Sequence, residues 1–176
     1  MQNIDISKNF RDRTMTSDKK IVVLDFEGVV FQSRLREMYV DIFKENGRDP
    51  AELDHFFTDI FKEKYRSDNC RQKTLSEMTE PLAQQHPEWA KELRAFNADQ
   101  KFNRYVDELV PGMEEIVDYF SKSKDYELYG LTNWPGDGYR VLEKKFSEVT
   151  SKFKDVVVSG DHGCKKPDAL IWQIAQ

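Results

Sequence analysis

Ile21-Val22-Val23-Leu24-Asp25-Phe26-Glu27-Gly28-Val29-Val30 is the stretch on which the reading of this chain turns. Four apolar residues run into two carboxylates one residue apart, and a glycine follows. A short continuous apolar run reads as a strand buried on both faces. An acid at the end of such a strand lies where open α/β sheets bind ligands, in the crevice beyond the carboxyl ends of the strands. Side chains alternate along a strand, so Asp25 and Glu27 can face the same side. Gly28 lets the backbone turn and approach a ligand closely. Taken alone, the motif reads equally well as a strand closing in a solvated acidic turn.

Downstream of Val30 the strand signal stops. Leu35, Met38, Tyr39, Ile42 and Phe43 recur at helical spacing, which predicts a helix over Ser33–Asn46, with Gly47 at its C-terminus. Asp49-Pro50 opens a second helix, whose apolar face is Leu53, Phe56, Phe57, Ile60, Phe61 and Tyr65. A third runs from Thr74 to Gln85, and a fourth from Pro87 to about Glu108, with no strand between them. This predicts a helical insert of roughly 70 residues, enough to pack as a small bundle. Pro111-Gly112 punctuates the chain. Then come a helix over Met113–Ser121, a strand over Tyr126–Leu131 ending in Thr132-Asn133, a helix over Asp137–Phe146 and a strand at Val156–Val158. Lys165-Lys166-Pro167-Asp168 precedes a last helix from Ala169. Strands alternating with helices indicate a parallel, Rossmann-like α/β sheet with right-handed crossovers. The expected organisation is an N-terminal tail over residues 1–18, an α/β core over 19–32 and 109–176, and a helical cap over 33–108.

Composition narrows the function. Charged residues make up 34% of the 176 and the formal charge is −5, which argues against a nucleic-acid partner, since such proteins carry a basic face. No apolar run approaches the roughly 20 residues of a membrane helix, and from the polar stretch Met1 to Lys19, which lacks an apolar signal core, no export signal is expected. Two cysteines, Cys70 and Cys164, are too few for a disulfide framework, and a cytoplasmic location is expected. His55, His86 and His162 have no metal-ligand spacing.

Three strand ends then offer complementary groups: Asp25 with Glu27, Thr132, and Lys166. A carboxylate can attack phosphorus. A second acid can protonate the leaving oxygen and then activate water. A hydroxyl and an ammonium can hold the phosphoryl oxygens. Thr132-Asn133 alone reads as a strand ending in a turn, and Lys165-Lys166 alone as a solvated pair. In order and spacing, however, Asp25-Phe26-Glu27-Gly28-Val29-Val30, Leu131-Thr132-Asn133-Trp134 and Lys166-Pro167-Asp168 resemble the haloacid dehalogenase-like (HAD) hydrolase superfamily. The helical insert after the first strand is similar to its helical (C1-type) cap subclass. The resemblance implies a Mg²⁺-dependent phosphatase of a small phosphorylated metabolite. Asp25 would be the nucleophile and a metal ligand. Glu27 would be the acid/base residue, with its backbone carbonyl on the metal. Thr132 would hold the phosphoryl oxygens with help from the Asn133 backbone, and Lys166 would neutralise charge. Gly28 and Trp134 are further candidates at the substrate, with Trp134 either lining the cap–core cleft or covering the sheet edge. The cap would close over the site and choose the substrate.

Two departures stand out. The family usually carries Asp at the position of Glu27, and glutamate adds a methylene. The family's fourth motif, an acidic pair on a later strand that completes the Mg²⁺ site, has no counterpart before Gln176. Asp161 and Asp168 are near in sequence but lie on no matching strand. That later strand would flank Ile21–Leu24, so an exposed apolar edge and self-association through it are expected. Two other readings follow: a non-catalytic remnant or binding module, and a haloacid dehalogenase-type hydrolase. Dehalogenases need no metal, but they replace the second acid that Glu27 retains.

Overall fold

The computed structural model describes residues 18–61, 71–96 and 99–175. The expected N-terminal tail, Tyr65 and Cys70 lie outside the described residues. The strands, in chain order, are β1 (Lys20–Leu24), β2 (Phe31–Ser33), β3 (Val106–Leu109), β4 (Tyr126–Thr132) and β5 (Asp155–Val158). β1, β4 and β5 form a parallel sheet in the order β1-β4-β5, with Leu24 opposite Gly130 and Thr132 opposite Val158. The carboxyl ends of all three strands therefore open on one edge, as the crossover rule requires.

Among the described residues, five α-helices lie between β2 and β3: α1 (Leu35–Glu45), α2 (Leu53–His55, continued by a π-helical turn over Phe56–Phe61), α3 (Leu75–Gln85), α4 (Ala90–Ala95) and α5 (Asp99–Tyr105). The local chemistry explains their ends. The Asp49 carboxylate accepts from the Ala51 amide at 2.9 Å. Thr74 caps α3 in a reciprocal box with Glu77. Tyr39, Phe43, Phe56, Trp89 and Phe96 are buried and meet ring to ring, with Tyr39 and Phe56 centroids 4.9 Å apart, so an aromatic cluster is the core of the insert.

The long helix expected from Pro87 to Glu108 does not form. A 3-10 turn at Pro87–Trp89, α4 and α5 take its place, and the chain then extends as β3, antiparallel to β2. Val106 is buried, and Arg34 bridges to Asp107 at 2.9 Å and to Glu108 at 2.5 Å across the ribbon. Helical periodicity cannot register a strand partner so distant in sequence, and that partner wins here. The insert thus stands on a two-stranded stem.

After the stem come α6 (Met113–Lys122), α7 (Gly136–Lys145), α8 (Ser147–Thr150), α9 (Ser159–His162) and α10 (Ala169–Ile174). One sheet face, carrying Val22, Leu24, Leu128, Val156 and Val158, packs with Val117 of α6 and Tyr139 and Leu142 of α7. On the other face Ile171 of α10 covers Leu131 and Val157. That cover stops short of β1. Ile21 is 49% and Val23 41% exposed, so β1 is not the doubly buried strand its apolar run predicts. It is an edge strand with one bare face, because no described element lies against it there. Gly130 gives Phe26 its place: a Cβ at that position would stand 2.7 Å from the Phe26 ring.

The insert also touches the core away from its stem. The Asp137 carboxylate accepts from the Leu75 amide at 2.9 and 3.0 Å, and the Asp137 amide donates to the Lys73 carbonyl at 3.1 Å. Arg71 pairs with Asp168 at 2.8 Å. Among the described residues no helix is long and apolar enough to cross a membrane.

Candidate active site

β1 delivers Asp25 to the carboxyl edge of the sheet. Immediately beyond, the chain makes a tight loop in which the Phe26 carbonyl accepts from the amides of Val29, Val30 and Phe31 at 3.3, 3.0 and 2.8 Å. Gly28 closes it with φ +74°, a left-handed conformation that costs glycine little, and its amide donates to the Phe31 carbonyl. Phe26 drops into the core and is fully buried, while the Asp25 carboxylate stays at the rim, 44% exposed.

Lys166 comes to Asp25 from the loop after α9. Its Nζ lies 2.7 Å from Asp25 Oδ2 and donates to the Leu131 carbonyl at 2.8 Å. Asn133 sets this reach. Its Oδ1 accepts from the Lys166 amide at 2.8 Å and its Nδ2 donates to the Lys166 carbonyl at 3.1 Å. The Asn133 side chain is therefore committed to the lysine loop. Thr132 ends β4 one residue past the carbonyl that Lys166 touches. It is fully buried, and its hydroxyl has no hydrogen-bond partner among the described residues. An orphaned buried hydroxyl at a strand end needs a reason. An acceptor arriving at the edge would provide one, once the atoms covering Thr132 give way.

Glu27 is half-buried and held at both oxygens. The Tyr105 hydroxyl donates to Oε1, and the Trp134 indole Nε1 donates to Oε2 at 3.1 Å. Trp134 is 1% exposed, packed against Phe102 and Tyr105, with centroids 6.0 Å away in each case. The ring is thus turned toward the aromatic residues of the insert. A buried indole must satisfy its N–H, and Glu27 is the acceptor. Tyr105 carries no sequence signal of this role; it sits within the stretch that reads as one long helix.

The acids do not gather into a metal centre. Among the described residues no three His, Cys, Asp or Glu side chains converge. Asp161 is bound by Arg140 at 2.6 Å and Asp168 by Arg71 at 2.8 Å, while both Glu27 oxygens are taken. Magnesium prefers six oxygen ligands, and these side chains offer it only Asp25. The fit is incomplete. Elsewhere, burial pushes the Asp137 carboxyl above its usual range and raises the Cys164 thiol.

The chain matches no protein-family model and none of the curated proteins by sequence. Its fold does match solved structures. A HAD family enzyme from Bacteroides thetaiotaomicron aligns over 90% of this chain and 77% of its own, with TM-score 0.62 at 16% identity. That enzyme has also been crystallised with magnesium and inorganic phosphate. A HAD-like family hydrolase from Porphyromonas gingivalis aligns over 89% and 74%, with TM-score 0.58 at 22% identity. The L-2-haloacid dehalogenase of Xanthobacter autotrophicus, with chloropropionic acid covalently bound, aligns over 89% and 63%, with TM-score 0.59 at 16% identity. The fold is thus like that of these HAD family structures, with an inserted helical region.

Proposed function

We propose that this chain is a hydrolase of small phosphorylated metabolites working through an aspartyl-phosphate on Asp25. The observation that carries the reading is the 2.7 Å pair between Asp25 and Lys166, at the sheet edge where such folds bind ligands. An Asp25 oxygen attacks phosphorus while the bond from phosphorus to the leaving oxygen breaks, and that oxygen takes the proton of Glu27. Glu27, now a carboxylate, removes a proton from water. The water oxygen attacks phosphorus, the bond to Asp25 breaks, and free phosphate leaves with Asp25 restored. Lys166 holds charge on the nucleophile and phosphoryl oxygens throughout, and Thr132 donates to one of those oxygens. Asn133 keeps Lys166 in register and Gly28 admits the ligand close to the loop. Magnesium, when bound, would supply further charge neutralisation at the phosphate, although among the described side chains only Asp25 would hold it.

The engagement of both Glu27 oxygens favours a second reading, a module that binds phosphate without turning it over. Hydrolysis of p-nitrophenyl phosphate, with and without Mg²⁺, separates the two. Turnover in the wild type that falls at least about a thousandfold in Asp25→Asn is the expected result, as for loss of an activated nucleophile. Phosphate binding with no turnover in either protein would establish the binding module instead. Release of chloride from 2-chloropropionate would point to attack on carbon.

A further inference from the structure

We propose that Tyr105, supplied by the insert, is a positioning residue for Glu27, and that with Trp134 it is the reason the second acid is a glutamate. This deepens the hydrolase reading and rests on it for its catalytic half. Tyr105 is fully buried and Trp134 nearly so, yet each spends its polar hydrogen on a different oxygen of the same carboxylate. A phenol and an indole withdrawn from water need acceptors, and the Glu27 carboxyl offers one at each oxygen. A glutamate has three side-chain torsions to lose on ordering. Two donors approaching its two oxygens from separate elements leave the carboxylate one position and one plane.

The holders are themselves held. The Tyr105 carbonyl accepts from the Arg34 amide at 2.8 Å, which ties the residue to the β2 side of the stem. Its ring packs on Phe96 and Phe102, with centroids 5.8 and 5.5 Å away. Trp134 lies two residues past the end of β4, and its carbonyl accepts from the Gly160 amide at 3.0 Å. The second acid of the core is thus oriented by one group from the insert and one from the core. An aspartate at this position would be one carbon–carbon bond shorter, about 1.5 Å. It would not reach both donors.

The test uses the full chain and the variants Tyr105→Phe, Glu27→Gln and Glu27→Asp, each checked for a cooperative thermal melt. Tyr105→Phe keeps the ring and deletes one hydroxyl. Its kcat on p-nitrophenyl phosphate is expected to fall about 10- to 100-fold with KM within about twofold, the cost of a misplaced acid rather than of weaker binding. A second readout does not need turnover. The chain has three tryptophans, and Trp134→Phe assigns the Trp134 indole N–H peak in a nitrogen–proton NMR spectrum. That peak is expected to move upfield in Glu27→Gln and Glu27→Asp and to shift in Tyr105→Phe, while those of Trp89 and Trp172 stay put. Wild-type kcat in Tyr105→Phe, or an unmoved Trp134 peak in Glu27→Gln, would overturn the proposal. If the wild type itself does not turn over, the hydrolase reading fails, and the indole peak alone decides whether the grip on Glu27 exists.

Discussion

Lys166 meets Asp25 because its own backbone is clamped on both sides by the Asn133 amide group. Removing that clamp should loosen the pair without deleting either charge. Asn133→Ala is expected to lower stability by about 1–2 kcal/mol, for two part-buried hydrogen bonds lost, and to lower kcat on an aryl phosphate by less than Lys166→Met does. Denaturant melts and steady-state kinetics measure both; Asn133→Ala with wild-type stability and kcat would show that the clamp is dispensable. Asp25 and Thr132 are legible in the sequence because each sits at or just past a strand end, where a parallel sheet puts groups on one edge; Lys166 lies farther on, past α9, and is legible only through its order and spacing relative to the other two. Tyr105 is not legible. It is 78 residues from Glu27, and a phenol inside an aromatic-rich helical stretch looks like any other core residue. Trp134 is half legible: its place beside Thr132 draws attention to it, but whether the ring faces out or in depends on Phe102, which local sequence does not position.

α3 begins on a carboxylate of the core as well as on its own cap. Thr74 and Glu77 satisfy the amides around the N-terminus, and Asp137 takes the Leu75 amide from α7. Asp137→Ala is expected to cost about 1 kcal/mol, the ordinary worth of a helix-terminal acceptor. Its pH dependence has a definite sign. Burial holds the folded-state carboxyl above its usual range. The folded protein therefore keeps a proton that the unfolded chain releases near pH 3.9. The stabilising contribution is complete below that value and declines as pH rises through the folded pKa. The melting-temperature gap between wild type and Asp137→Ala should be widest in acid and narrow toward neutrality; a gap that widens with rising pH would contradict this. Elements with strong local signals, such as α1, α3, α6 and β4, follow the sequence closely, since caps and periodicity act within a few residues. The stem does not, because β3 forms only where β2 is present to pair with it.

At the scale of the whole molecule, the described residues insulate one face of the sheet and cover only part of the other. Ile21 and Val23 stand bare beside the open edge of β1. Such an edge pairs readily with another chain. The protein is expected to associate with rising concentration, and Val23→Lys to suppress that association; sedimentation velocity over a concentration series checks it, and a monomer throughout would remove the expectation. The opposite end of the sheet has no room to spare. Gly160 lies so near the Gln72 carbonyl that a Cβ would collide with it, and the same Cβ would stand 2.8 Å from the Gly136 amide and 2.9 Å from the Trp134 carbonyl. A single methyl group there would act as a wedge. Gly160→Ala should prise the insert off the core at this seam while the stem keeps the two attached, giving a permanently ajar form whose amides near Leu75 exchange hydrogen faster than those of the wild type.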